Sequence, residues 1–205
     1  MSGRNSGAGE TAESGESGRR KPARDRIFET AREMFYERGI RAVGVESIAA
    51  EAGTTKMSLY RNFPSKDELV AECLRDESRQ SWEWWDEIAA PHAGDPRAQL
   101  EALFDGFANK TCDQVYGCGL SNAAIELHEP DHPARAVALE HKRGVHARLV
   151  ELTKAAGAQD EELADSLMML LEGAYVARVT MPTDLPRRSL ASAARVLISA
   201  YLDRP

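Results

Sequence analysis

The chain has 205 residues, is 42% hydrophobic and carries a formal net charge of -7, enough apolar content for a sizeable core in one large domain or in a small domain joined to a larger one. Its cysteines, Cys73, Cys112 and Cys118, are too few and too odd in number for a disulfide framework, and no apolar run approaches the ~20 residues of a membrane span. The first residues also lack the apolar centre of a secretory signal, so a cytoplasmic, reducing location is expected.

Residues 1 to 18 are mostly Gly, Ser, Ala and Glu without apolar periodicity, and a disordered tail is expected over 1–21. A basic arm follows in Arg19, Arg20, Lys21 and Arg24. The first helix is predicted from Pro22 to Arg38, with Ile27, Ala31, Met34 and Phe35 on one stripe and Gly39 to stop it. Two short amphipathic runs come next. Val45, Ile48, Ala49 and Ala52 recur at helical spacing, and after Gly53, which suits a left-handed helix end, so do Leu59, Tyr60 and Phe63. Between the buried positions of the second run lie Thr54, Thr55, Lys56, Ser58 and Arg61, donors of the kind that reach phosphates and base edges. The expected unit is a helix-turn-helix over residues 22–66, its first helix packing on Ile48 and Leu59-Tyr60.

Gly39, Val45, Ile48, Ala49, Ala52-Gly53, Lys56, Leu59-Tyr60, Phe63, Ser65-Lys66 and Glu68-Leu69 resemble, in order and spacing, the N-terminal domain of the TetR family of bacterial transcriptional regulators. The resemblance spans roughly residues 22 to 70. It implies a homodimer on a near-palindromic operator, with Thr54, Thr55, Lys56, Met57, Ser58, Tyr60, Arg61 and Lys66 at the DNA and the basic arm near its phosphates. Two positions depart from the pattern. Val43-Gly44 stands where a hydroxyl residue often caps the first short helix, though Gly is a tolerated cap, and Met57 stands where a small residue is common.

The charge distribution supports nucleic-acid binding independently. Residues 19–66 balance to +5, residues 1–18 to -2 and residues 67–205 to -10, so an acidic body leaves one basic face to be steered onto DNA.

Ser65-Lys66-Asp67-Glu68 reads as a capping box that opens a long helix running through Trp82, Trp84 and Trp85 to Ala90. Asp95-Pro96 starts another, with Leu100, Leu103, Phe104 and Phe107 in register to about Thr111. Leu120 to Leu127 is a short apolar run. A helix from about Ala134 to Ala156 has charges, His141 and Lys142 among them, that read as mostly a solvated face. The segment Asp160 to Thr180 is apolar nearly all round, and Pro186 to Leu202 carries one stripe through Leu190, Ala194, Leu197, Ile198 and Tyr201. Surplus apolar surface on these last two helices predicts a four-helix dimer interface.

Catalytic motifs are absent: no Gly-rich phosphate loop, nucleophile elbow or two-His helical zinc motif occurs, so no enzyme, cofactor or metal is expected. His128, Glu129, Asp131 and His132 form the densest group of metal-ligand types, but Pro130 and Pro133 place them in a surface turn. A ligand-binding wall is sought instead among Trp82, Trp85, Phe104, Phe107, Tyr116, Met168 and Tyr175, with Asn122, Glu126 and Glu172 as its polar groups. The expected protein is all-α, of about nine helices, with the helix-turn-helix followed by an effector-binding and dimerisation bundle over 67–205. Its expected function is a repressor released from its operator by a small molecule. The alternatives are a regulator responding through oxidation of Cys112 or Cys118, or a small helical enzyme.

Overall fold

The computed structural model describes residues 21–181 and 184–203; the predicted disordered tail up to residue 20, with Arg19 and Arg20 of the basic arm, lies outside them. The described residues form nine α-helices and no strand: α1 (Ala23–Arg38), α2 (Val45–Glu51), α3 (Lys56–Asn62), α4 (Lys66–Ala89), α5 (Pro96–Asp113), α6 (Gly119–Glu126), α7 (Pro133–Ala155), α8 (Glu162–Thr180) and α9 (Leu185–Leu202). A single 3-10 turn, Ala90–His92, separates α4 from α5.

Local chemistry sets the helix ends. Pro22 precedes the first turn of α1, where its missing N–H costs nothing. Behind α2, Gly53 adopts φ +59°. Its N–H donates to Ala50 O and that of Thr54 to Ala49 O, the paired bonds of a Schellman motif that turn the chain toward α3. Thr55 then caps α3 by accepting the N–H of Ser58 at 3.1 Å. Ser65 does the same for α4 with the N–H of Glu68 at 3.0 Å, but the return half of the predicted capping box is not made. The Glu68 carboxylate instead lies 3.6 Å from Arg75.

Helices α1 to α3 pack around Ile27, Ala31, Ile48 and Leu59, all fully buried. Arg26 fastens α1 across the helix-turn-helix elbow by donating to Ala52 O and Gly53 O. This small unit does not have a core of its own: its buried side chains run without interruption through Leu69, Val70 and Leu74 of α4 into the bundle of α4 to α9. Within the bundle α9 lies along α5 and α8, and α7 lies along α4, α6 and α8. Arg97 ties α5 to the end of α9 through Asp203 and Ser199.

The outer sides of α8 and α9 are apolar and open. Met169, Val176 and Val179 of α8 and Val196 of α9 are 75, 57, 56 and 68% exposed. Gly173 lies among the exposed residues of α8 with nothing near the place a Cβ would occupy.

Candidate nucleic-acid interface and inner cavity

Helix α3 presents its outer face to solvent. Thr55, Lys56, Met57, Tyr60 and Arg61 are exposed, Thr54 and Ser58 half-buried, and Leu59 holds the helix from the inside. Lys56 is joined to Glu46 of α2 by an ion pair, which raises the lysine pKa and lowers that of the carboxyl. Lys66, expected at the DNA backbone, is directed inward instead. Its ammonium donates to Ile40 O at 2.5 Å, lies 5.9 Å from the centroid of the Phe35 ring, and has its pKa lowered by burial.

The peptide of Ile40, in the turn between α1 and α2, is gripped from both sides. Lys66 of α4 holds its carbonyl, while the carboxylate of Glu126 on α6 accepts its N–H at 3.0 Å and the Arg41 N–H at 2.6 Å. Arg41 returns a bond to Glu126 O and pairs with Glu129. A second tie is Tyr36 of α1, whose hydroxyl donates to Gly117 O and accepts the N–H of Tyr116. The other end of α6 is held by Glu77 of α4, which accepts the N–H groups of Gly119 and Leu120. A Cβ at position 119 would overlap the Glu77 carboxylate, so this approach requires glycine. Helix α6 is therefore a strut, with one end in the bundle and the other on the DNA-facing unit.

Beside the upper end of that strut lies a cavity of 110 Å³, walled by Trp85, Phe107, Leu120, Val145, Leu171 and Tyr175 and by the polar side chains of Glu77, Lys110, Gln114, His141 and Lys142. Lys142 pairs with Glu172 at 2.7 Å and stands 3.4 Å from Cys118 Sγ. Glu172 also accepts from Ser121. His141 meets Ser78 Oγ through Nδ1 at 2.9 Å and packs on Trp82; burial brings its pKa down to about 4. A wider cleft of 570 Å³ lies on the seam between α1 and the bundle, along Phe35, Tyr36, Leu74, Tyr116 and Asn122. Glu77, Gln80 and Gln114 line both spaces.

The family model for bacterial regulatory proteins of the tetR family matches residues 27–73. The fold aligns with the crystal structure of SCO4454, a TetR-family transcriptional regulator from Streptomyces coelicolor, over 88% of this chain and 96% of that one, with a TM-score of 0.78 and 26% identity. Over residues 27–73 the chain is thus similar to the tetR family of bacterial regulatory proteins, and over most of its length it shares the fold of a TetR-family regulator. Among curated relatives it is 42% identical over 90 residues to the HTH-type transcriptional repressor KstR2 of Rhodococcus jostii, a match covering 44% of this chain and 42% of that repressor. It is 24% identical over 185 residues to the HTH-type transcriptional regulator YxaF of Bacillus subtilis, covering 87% of this chain and 96% of that protein.

The predicted ligand wall is dispersed over several places. Trp85, Phe107 and Tyr175 line the inner cavity; Tyr116, Asn122 and Glu126 line the seam cleft. Glu172 faces a groove of 360 Å³ between α6 and α8. Trp82, Phe104 and Met168 line none of the three: Phe104 is core, and Trp82 is sandwiched by His141 and Arg148. The carboxylate of Glu126 is occupied by the α1–α2 turn. Most of the cavity's polar residues escaped sequence reasoning. His141 and Lys142, read as part of a solvated face, turn inward, with His141 6% exposed and the Lys142 side chain 18%. Their adjacency to Val145 and Leu149 at helical spacing was the available signal. His128, Glu129, Asp131 and His132 lie in the turn before α7, where His132 caps α7 and Glu129 pairs with Arg41. Cys73 is buried, its thiol pushed up to about 12, and all three cysteines are free.

Proposed function

We propose that this chain is a DNA-binding transcriptional repressor that acts as a homodimer and is released from a near-palindromic operator by a small molecule held in the bundle. The observation that carries the DNA-binding part is the exposed face of α3, bearing Thr55, Lys56, Met57, Tyr60 and Arg61 on a unit of net positive sequence charge. Thr54 and Ser58 complete that face, and the remaining predicted contact, Lys66, acts by fixing the turn behind it. The open apolar sides of α8 and α9 support pairing with a second copy, which would set two α3 helices about one DNA turn, roughly 34 Å, apart.

Release follows as a population shift. A ligand in the inner cavity bears on Leu120 and Glu77, the seat of the α6 amino terminus, and the strut carries any displacement to Ile40 and Arg41. Only a ligand with different affinities for the two placements of the α1–α3 unit can shift the balance between them. The test is an operator titration across salt concentrations. Lys56→Ala with Arg61→Ala is expected to weaken binding and to make the salt dependence shallower by about two phosphate contacts, each worth roughly 0.9 in slope. Unchanged affinity and slope in a folded dimer would refute the assignment.

A further inference from the structure

Two polar atoms at the inner cavity make no hydrogen bond or ion pair among the described residues: Lys110 Nζ, on the last turn of α5, and Gln114 Oε1, just past its end. Lys110 and Gln114 lie one helical turn apart and line the cavity together. The Lys110 ammonium is half-buried, makes no ion pair or hydrogen bond among the described residues, and rests 4.3 Å from the centroid of the Trp84 ring. Burial lowers its pKa. Gln114 Oε1 is buried without a hydrogen-bond donor. The neighbouring ionisable groups are satisfied: Lys142 by Glu172, Glu77 by the α6 amides and His141 by Ser78. A withdrawn cation and a withdrawn acceptor each cost free energy until something supplies a counter-charge and a donor.

Trp85, Phe107, Val145 and Leu171 make the rest of the wall apolar. The complementary occupant has a compact apolar body, an anionic group on one edge and a hydroxyl about one helical turn away, roughly 5–6 Å. We propose that the cavity takes a small hydroxycarboxylic acid, its carboxylate on Lys110 and its hydroxyl donating to Gln114 Oε1. This rests on reading the chain as a ligand-responsive regulator. The seam cleft adjoins this cavity, with Gln114, Glu77 and Gln80 lining both spaces.

Calorimetric titration of the full chain with 3-hydroxybutyrate, small enough for a cavity of 110 Å³, its neutral amide and butyrate tests the assignment. The hydroxy acid is expected to bind wild type about tenfold or more tightly than the amide, the margin of a charge-assisted hydrogen bond. Lys110→Met should erase that preference, and Gln114→Leu should reduce the hydroxy acid to the level of butyrate. Because Lys110→Met removes a half-buried charge, its melting temperature should not fall, which keeps a negative result meaningful. Equal binding of acid and amide, a preference surviving in Lys110→Met, or no heat from either acid would overturn the proposal. The effector reading fails separately, if the acid binds through Lys110 and leaves operator affinity unchanged.

Discussion

The carboxylate of Glu126 accepts the backbone N–H of Ile40 at 3.0 Å, across 86 residues of sequence. The same carboxylate holds Arg41 N, so α6 grips the turn that leads into the helix-turn-helix. Glu126→Ala leaves a partly buried amide without an acceptor and is expected to destabilise the chain by about 1–3 kcal/mol. It should also reduce the change in operator affinity produced by any bound effector. Urea unfolding and operator titrations with and without ligand measure the two effects.

Gly119→Ala tests the other end of the strut. Its methyl would overlap the Glu77 carboxylate and force it off the α6 amides. A loss of about 1–3 kcal/mol is expected in thermal or urea melts, since buried acceptors and amides would be left unpaired. A variant as stable as wild type would show that Glu77 does not hold α6.

Acid should weaken the fold through His141. Its folded pKa of about 4 lies below the ordinary 6.5, so between these values the unfolded chain takes up a proton that the folded one refuses. The contribution is fully present above pH 6.5 and lost as pH falls toward 4, amounting to about 2.5 kcal/mol between pH 7 and 4.5. Glu77 opposes it, since burial raises its pKa and a folded state that keeps this proton loses stability as pH rises. His141→Gln should therefore remove most of the acid sensitivity between pH 7 and 4.5; urea midpoints at the two pH values decide.

Glu46 is paired with Lys56 and, if α3 reads DNA as proposed, competes with DNA for it. Glu46→Gln removes both the competing partner and a negative charge beside the α3 face, so operator affinity is expected to rise, most at low salt. An affinity that falls would mean the pair preorganises Lys56 for its contact.

Val176→Asp places a charge in the middle of the exposed α8 stripe. Light scattering should then report monomers of unchanged helicity, with operator binding weakened by the loss of the second half-site. A dimer that survives would place the interface elsewhere.

Sequence alone determined the order of the helices and nearly all their limits, because periodicity and end signals are local. Gly53, Thr55 and Ser65 terminate or cap where their chemistry predicts, and the α3 face was legible because its exposed residues alternate with a fixed buried set. Charge partition likewise marked the basic end of the chain.

Tertiary structure decided what each polar side chain does. Lys66 and Glu126 have the chemistry of DNA and ligand contacts, yet both are engaged at Ile40, brought to them by packing from 26 and 86 residues away. The inner cavity is assembled from α4, α5, α6, α7 and α8, so no single segment carries its pattern. Lys110 and Lys142 look alike in sequence; only the tertiary structure gives Lys142 an ion pair with Glu172 and lays Lys110 against the Trp84 ring instead. Helical periodicity fixes which face a residue occupies, while the identity of its partner depends on how distant helices meet.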